Sequence, residues 1–252
     1  MKKFLLLISV LSISLLFGCQ QKASKKLTIA TAANMQFAME ALTQAFKEQS
    51  GIDCESIVSS SGKLTAQIQE GAPFDVFVSA DLKYPAELFQ NGFSTQTPTV
   101  YSYGRLVLWT LVEDLQPSME LLTDDKIKHI ALANPKTAPY GNATMEIINH
   151  YNIFSQVKEK LVYGESIAQT NQFITSKAAE VGFTAKSVVL SSAMKGQGKW
   201  IEIADSLYTP IAQGVIILNN RQDQLVKARK FHDFLLSSEG KEILDKFGYL
   251  AH

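Results

Sequence analysis

The chain has 252 residues, of which 46% are hydrophobic and 19% are charged, and its 24 basic and 24 acidic side chains leave a formal net charge of zero. This composition is that of a folded chain with a sizeable core. The balanced charge argues against nucleic acid or an anionic membrane surface as a partner, because both require a basic patch.

Residues 1–18 have the pattern of a targeting segment. Lys2 and Lys3 precede an apolar stretch, Phe4 to Phe17, that only serines interrupt. The stretch is too short to span a bilayer comfortably, so the pattern indicates a signal peptide and not a membrane helix.

The sequence Leu16-Phe17-Gly18-Cys19 resembles the end of a bacterial lipoprotein signal. That resemblance implies cleavage before Cys19 and attachment of lipid to its thiol. The polar residues 19–26 would then form a flexible tether. If Cys19 carries lipid, no disulfide can form within the chain, because Cys54 is the one remaining cysteine.

From Leu27 the chain alternates predicted strands and helices three times. Each strand is a short apolar run, and each helix has apolar residues at a spacing of three and four. Three successive strand–helix units predict a mostly parallel sheet. The predicted elements are strands at 27–30, 54–58 and 74–78, and helices at 37–46, at 63–68 and after Asp81, which can cap its helix.

Two long apolar runs predict strands that cross between two lobes. Tyr103–Val112 leads out of the first lobe, and Thr209–Leu218 leads back to it before two closing helices. A second α/β series, over residues 129–189, lies between them, with predicted helices at 142–151, at 167–175 and from Lys186. The predicted lobes are residues 27–102 with 209–252, and residues 103–208, with a cleft between them of the kind that binds ligands in α/β proteins.

Ser60-Ser61-Gly62-Lys63 matches the S-x-x-K motif of serine acyl hydrolases. The accompanying S-D-N and K-T-G motifs are missing. A nucleotide loop is excluded, because Leu64 follows Gly62-Lys63 where Ser or Thr is required. An acyl hydrolase using Ser60 and Lys63 remains the alternative from another class, and we otherwise expect no catalytic residue.

The histidines are scattered along the sequence without the spacing of metal ligands. We therefore expect no protein-bound metal. They are His129, His150, His232 and His252.

Four strand-to-helix turns are built mainly from donors without charge. They span residues 31–34, 59–62, 139–142 and 166–167. The first N–H groups of a helix have no partner within the helix, and the positive end of the helix dipole lies beside them. Each turn alone is explained by helix capping, but four in two facing lobes predict an anion clamp.

Five stretches of the chain resemble the periplasmic molybdate-binding protein family, the substrate-binding components of molybdate ABC transporters. The most specific is the run from Gly71 to Asp81. The matching segments are 30–34, 59–64, 67–81, 134–141 (Asn134-Pro135 and Pro139-Tyr140-Gly141) and 181–185.

The resemblance implies a two-lobed fold of the type II periplasmic-binding-protein class, with mostly parallel sheets flanked by helices and two crossing strands as a hinge. It implies a monomer without cofactor or enzymatic activity, and the lipoprotein signal implies that lipid on Cys19 holds it on the extracytoplasmic face of the membrane. The protein would deliver molybdate to permease subunits. Tungstate, sulfate and phosphate remain alternative ligands.

By the same resemblance, Ala33 and Asn34 would bind the ligand's oxygens through backbone N–H groups and the Asn34 amide, and Ser61 through its hydroxyl and N–H. Tyr140 and Ile167 would bind through the backbone N–H. Some relatives add a hydroxyl near Ala185, where this chain has none. The implied ligand residues are Ala33, Asn34, Ser61, Tyr140 and Ile167.

The anchoring hypothesis predicts that Cys19→Ser leaves the protein unprocessed or releases it from membranes, because the acceptor of the lipid is gone. Cell fractionation with an immunoblot measures this, and Cys54→Ser is the matched control. Normal processing and membrane retention of Cys19→Ser would contradict the hypothesis.

Overall fold

The computed structural model describes residues 26–250, which fold into two five-stranded sheets flanked by helices. The predicted signal peptide, Cys19 and the tether up to residue 25 lie outside these residues. Within residues 26–250, no helix is both long and apolar enough to cross a bilayer.

The first sheet has the order β2-β1-β3-β10-β4 and the second has the order β7-β6-β8-β5-β9. The strands are β1 (Leu27–Ala32), β2 (Cys54–Ser59), β3 (Val76–Val78), β4 (Thr99–Gly104), β5 (Leu106–Thr110), β6 (Ile130–Ala133), β7 (Leu161–Gly164), β8 (Val181–Ala185), β9 (Lys199–Glu202) and β10 (Ile211–Ile217). The α-helices are α1 (Gln36–Ser50), α2 (Ser61–Gln69), α3 (Lys83–Gln90), α4 (Pro139–His150), α5 (Phe154–Val157), α6 (Ile167–Thr175), α7 (Lys186–Val189), α8 (Leu225–Leu236) and α9 (Ser238–Lys246). Short 3₁₀ turns occur at Ala33–Met35, Glu120–Thr123, Lys158–Lys160, Asp205–Leu207 and Gln222–Gln224.

Both sheets are mixed, which corrects the prediction of mostly parallel sheets. In the first sheet β1 pairs in parallel with β2 and β3, whereas β10 pairs antiparallel with β3 and β4. The second sheet repeats this division, with β6 parallel to β7 and β8, and β5 antiparallel to β8 and β9. The antiparallel pairs arise because the strands that link the lobes enter each sheet from the opposite direction to the strands of the β–α–β units.

The long run at Tyr103–Val112 is not one strand, because the chain changes sheets within it. Tyr103 and Gly104 still pair with β10, and Leu106 already belongs to the second sheet. The change therefore occurs at Arg105, two residues after the predicted boundary. Arg105 binds Glu202 and Asp205 on the returning chain, which ties the two connections together.

Two helices begin earlier than the sequence predicts. α2 starts at Ser61 and α4 starts at Pro139. Proline suits the first helical position, because its missing N–H would have no partner there and its φ angle is already helical. The earlier start puts Tyr140 in the first turn of α4. The short elements α5 and β9 were not predicted.

Three hydrophobic clusters hold the lobes together. Two cover opposite faces of the first sheet, and in one of them Phe46 and Phe231 pack edge to face with ring centroids 5.3 Å apart. The third fills the second lobe around Trp109 and extends to Ala33 of the first lobe. Apolar packing therefore continues from the second lobe to the first.

Gly141 allows α4 to approach the end of β6. A β-carbon at this position would lie 2.2 Å from the carbonyl oxygen of Ala133 and 2.8 Å from the nitrogen of Pro135. Both neighbours are backbone atoms, so a side chain at Gly141 can be accommodated only if the helix moves.

We predict that Gly141→Ala lowers the free energy of unfolding by about 1–3 kcal/mol, the range for overpacking a dense site. Urea denaturation measures this. Asn142→Ala, at the exposed neighbouring position, should change stability by no more than about 0.5 kcal/mol. Equal stabilities of the two variants would show that the close approach is not a constraint.

Candidate functional site

A small cavity lies between the lobes, and all five predicted ligand residues line it. They are 1–4% exposed. The cavity volume is about 10 Å³, far below the roughly 300–1,000 Å³ of pockets for drug-sized ligands, so only a small ligand fits. The lining residues are Ala32, Ala33, Asn34, Ser60, Ser61, Ala80, Ala138, Pro139, Tyr140 and Ile167.

Ser61 is the first residue of α2, and its hydroxyl is oriented by the first lobe. Ala80 donates its N–H to Ser61 Oγ at 3.0 Å. Because the oxygen already accepts this bond, the hydroxyl proton is left to donate to a ligand. The backbone N–H of Ser61 belongs to the first helical turn and has no acceptor within the helix.

Ala33 and Asn34 form the 3₁₀ turn between β1 and α1. Both hydrogens of the Asn34 side-chain amide are committed, since Nδ2 donates to Gln213 Oε1 at 3.0 Å and to the Tyr249 hydroxyl at 3.2 Å. Donation from the Asn34 side chain to a ligand, as predicted, would require one of these bonds to break. While those bonds are in place, this turn can donate to a ligand only through the backbone N–H groups of Ala33 and Asn34.

In the second lobe, Tyr140 and Ile167 stand in the first turns of α4 and α6. Pro139 has no N–H, and the Gly141 and Asn142 N–H groups donate to the Ala138 carbonyl. Tyr140 therefore carries the available N–H of its turn. Ile167 follows the N-cap residue of α6 and is 3% exposed.

None of the ten lining residues carries a charged side chain. The cavity instead receives the starts of four helical segments, two from each lobe, and each contributes backbone donors and the positive end of a dipole. Such a site favours an anion that presents acceptors only, because no lining carboxylate can accept a proton from the ligand.

The sequence did not reveal the polar network beneath the cavity. Its centre is Gln213, fully buried on β10. Gln213 Oε1 accepts from Asn34 and, at 2.5 Å, from the Tyr101 hydroxyl, and Nε2 donates to the Tyr140 hydroxyl at 3.2 Å. Gln213 therefore ties a cavity-lining turn of each lobe to the returning strand. Gly104 is required beside it, because a β-carbon there would lie 2.1 Å from the Tyr140 hydroxyl.

The tyrosines of this network stay protonated. Burial raises the pKa of Tyr101, Tyr140 and Tyr249 well above the usual value, although hydrogen bonds from Gln213 and Asn34 act in the opposite direction at Tyr140. They keep a proton to donate at any physiological pH. The Tyr249 hydroxyl donates to the Asn34 backbone carbonyl at 2.8 Å.

Several hydrogen bonds join the lobes around the cavity. The Gly62 N–H donates to the Thr137 carbonyl at 2.9 Å, and Ser187 Oγ donates to the Asn34 carbonyl at 2.7 Å. At the exposed rim, Lys63 forms an ion pair with Glu165. The structure therefore has its lobes closed over the cavity.

Other residues singled out from the sequence lie away from the cavity. Ala185 is fully buried in β8 and pairs with Leu106. Cys54 is half-buried, and burial raises the pKa of its thiol to about 12, so it is unreactive. Within residues 26–250, no three His, Cys, Asp or Glu side chains come close enough to hold a metal.

Two lobes that close on a small buried cavity define a solute-binding protein of the two-lobed α/β class. Comparison with known proteins agrees. A model of the bacterial extracellular solute-binding protein family matches residues 27–250. The molybdate-binding protein ModA of Azotobacter vinelandii is 33% identical over 236 residues, which is 93% of each chain.

The solved structure of the periplasmic molybdate-binding protein of Azotobacter vinelandii superposes with a TM-score of 0.85 at 30% identity, covering 90% of this chain and 100% of that one. YvgL of Bacillus subtilis (strain 168), provisionally named an ABC transporter substrate-binding lipoprotein, is 27% identical over 264 residues and 99% of both chains.

The chain belongs to the bacterial extracellular solute-binding protein family, and its relatives there include molybdate-binding proteins. The resemblance found from the sequence and the type II periplasmic-binding-protein fold are confirmed. The roles of the five residues as ligands remain a prediction.

We predict that Gln213→Glu makes stability depend on pH. Burial raises the pKa of the new carboxyl above its usual ~4.3, so the folded state binds the proton more tightly and stability falls as pH rises. Near pH 5 the protonated acid can donate to Tyr140. At pH 8 the carboxylate cannot, and we expect a loss of about 1–3 kcal/mol.

Urea denaturation at the two pH values measures this effect. Gln67→Glu, an exposed position on α2, is the matched control and should show little change between them. If the stability of Gln213→Glu depended on pH as that of the unmodified protein does, the hydrogen bonds assigned to Gln213 would be contradicted.

Proposed function

We propose that the chain binds molybdate in the cavity between its lobes and delivers it to the permease of an ABC transporter. The observation that carries this proposal is the convergence of four helical N-termini on a buried cavity without charged side chains. The relatives support the choice of ion, because the protein from Azotobacter vinelandii is named as molybdate-binding.

The donor set also argues for a particular kind of anion. Molybdate, tungstate and sulfate are fully deprotonated near neutral pH and present acceptors only. Phosphate is partly protonated, and its proton would face donors and stay unpaired in a buried site. Sulfate is smaller, so it cannot reach the donors of both lobes at full hydrogen-bond length. Tungstate is nearly the size of molybdate and should compete closely.

We infer that the chain is not an enzyme. In a serine hydrolase that uses Lys63 to activate Ser60, the lysine would have to be desolvated and free of counter-charge. The Lys63 side chain is 42% exposed and its ammonium binds the Glu165 carboxylate. The relatives are named as binding proteins, which supports the same inference.

We further propose a monomer without a cofactor, held by lipid on Cys19 at the extracytoplasmic face of the cell membrane. All cavity residues come from one chain, so the site needs no second copy. The family is extracellular, and YvgL is provisionally named a lipoprotein. The expected partners are molybdate and permease subunits, with no nucleic acid.

A competition titration tests the proposed ligand. Isothermal titration calorimetry with molybdate should show tight binding at one site per chain. Tungstate should displace molybdate at comparable concentration, whereas phosphate and sulfate should not, for the reasons given above. Displacement by phosphate or sulfate at comparable concentration would contradict the assignment, and turnover of nitrocefin or an ester would favour the hydrolase.

A further inference from the structure

Ser60 is the N-cap residue of α2, yet its side chain does not cap the helix. The residue has extended backbone angles, φ −71° and ψ 150°, which are ordinary for an N-cap, but Oγ accepts no capping hydrogen bond. Ser60 is 3% exposed and its hydroxyl oxygen is buried without a hydrogen-bond partner. The residue also lines the cavity between the lobes.

Two other helices show what an N-cap serine does in this chain. Ser166 Oγ accepts the Gln169 N–H before α6, and Ser237 Oγ accepts the Gly240 N–H before α9. This is the usual role of serine at the position. Ser60 has a suitable backbone conformation and does not take that role, so another reason is needed for a buried hydroxyl there.

The competing acceptor lies in the second lobe. In α2 the second N–H of the helix, that of Gly62, would be a normal donor to the N-cap side chain. It donates instead to the Thr137 carbonyl across the cleft. Lobe closure therefore removes one of the two usual capping partners of Ser60. A buried hydroxyl without a partner is unfavourable, unless the functional state supplies an acceptor.

We propose that the Ser60 hydroxyl donates a hydrogen bond to the oxyanion bound in the cavity. This inference rests on the proposed function and adds a donor beyond the five residues predicted from the sequence. Ser60 adjoins Ser61, whose oxygen accepts from Ala80 and whose proton is left for the ligand. The two neighbouring hydroxyls would bind different oxygens of one tetrahedral ion.

A ligand role and a capping role predict opposite effects on affinity. A ligand donor bonds to the ion in the closed state, so its removal weakens molybdate binding. A serine that only caps α2 has the Gly62 N–H as a partner while the lobes are open and loses it on closure, so its removal should leave affinity unchanged or raise it. Affinity therefore decides between the two roles, and ligand-free unfolding shows that each variant folds.

The test compares Ser60→Ala with Ser61→Ala and Ser59→Ala in the full chain, by calorimetric titration with sodium molybdate and by thermal denaturation without it. We expect Ser60→Ala to bind molybdate about ten- to hundredfold more weakly, as for a lost hydrogen bond to a charged partner, and to unfold cooperatively without ligand. Ser59→Ala, on β2 outside the cavity, should bind normally. Ser60→Cys, a near-isosteric weak donor, should fall between Ser60→Ala and the unmodified protein.

Affinity of Ser60→Ala within twofold of the unmodified protein would overturn the inference and leave the proposed function standing. An equal loss of affinity in Ser59→Ala, or failure of Ser60→Ala to fold, would assign the serine turn a structural role and overturn the inference as well. If the unmodified protein binds neither molybdate nor tungstate, the proposed function fails, and the inference about Ser60 fails with it.

Discussion

The structure depends on one constraint. The first N–H groups of several helices are buried where they cannot donate hydrogen bonds to water. Such groups have no acceptor within their own helix. Some are satisfied locally, as the Gly141 and Asn142 N–H groups are by the Ala138 carbonyl, or across the cleft, as the Gly62 N–H is by Thr137. The donors that remain surround one cavity. An anion at that point satisfies them together, so the same geometry that is costly without a ligand becomes favourable with one.

Closure follows from where the donors come from. A ligand shifts an equilibrium between open and closed lobes only by as much as it binds one state better. Here half of the converging helical starts belong to each lobe, so the full set exists in the closed state alone. Among the direct contacts between the lobes, an exposed ion pair such as Lys63–Glu165 contributes only about 0–1 kcal/mol. The anion therefore stabilises the closed state through hydrogen bonds that the open state cannot offer.

Local patterns predicted much of this arrangement, and their limits are physical. Ile167–Thr175 was predicted as a helix with both ends correct, because a serine cap and a regular apolar spacing are local signals. The cavity residues near Ala33, Ser61 and Tyr140 were found through turns and through resemblance. The mixed sheets were missed because strand direction depends on how the chain returns from the other lobe.

The network at Gln213 was missed for a related reason. Gln213 meets Asn34 across 179 positions, Tyr101 across 112 and Tyr140 across 73. A glutamine within an apolar strand carries no sign of which distant groups it will bind. The partners of the Asn34 amide were missed for the same reason, since only the fold brings them near. Ser60 is similar, because its missing cap depends on Thr137 in the other lobe.

The absence of charge from the cavity wall determines how the ligand can be released. A lysine or arginine in the wall would continue to attract the anion through a longer-range Coulomb interaction after the lobes part. Backbone donors, hydroxyls and helix termini act only over hydrogen-bond distances and the first helical turn. Opening at the connections that Arg105 ties to Glu202 and Asp205 would remove one lobe's donors at once. A neutral wall thus makes affinity a function of lobe geometry, which a membrane permease can control by holding the lobes apart.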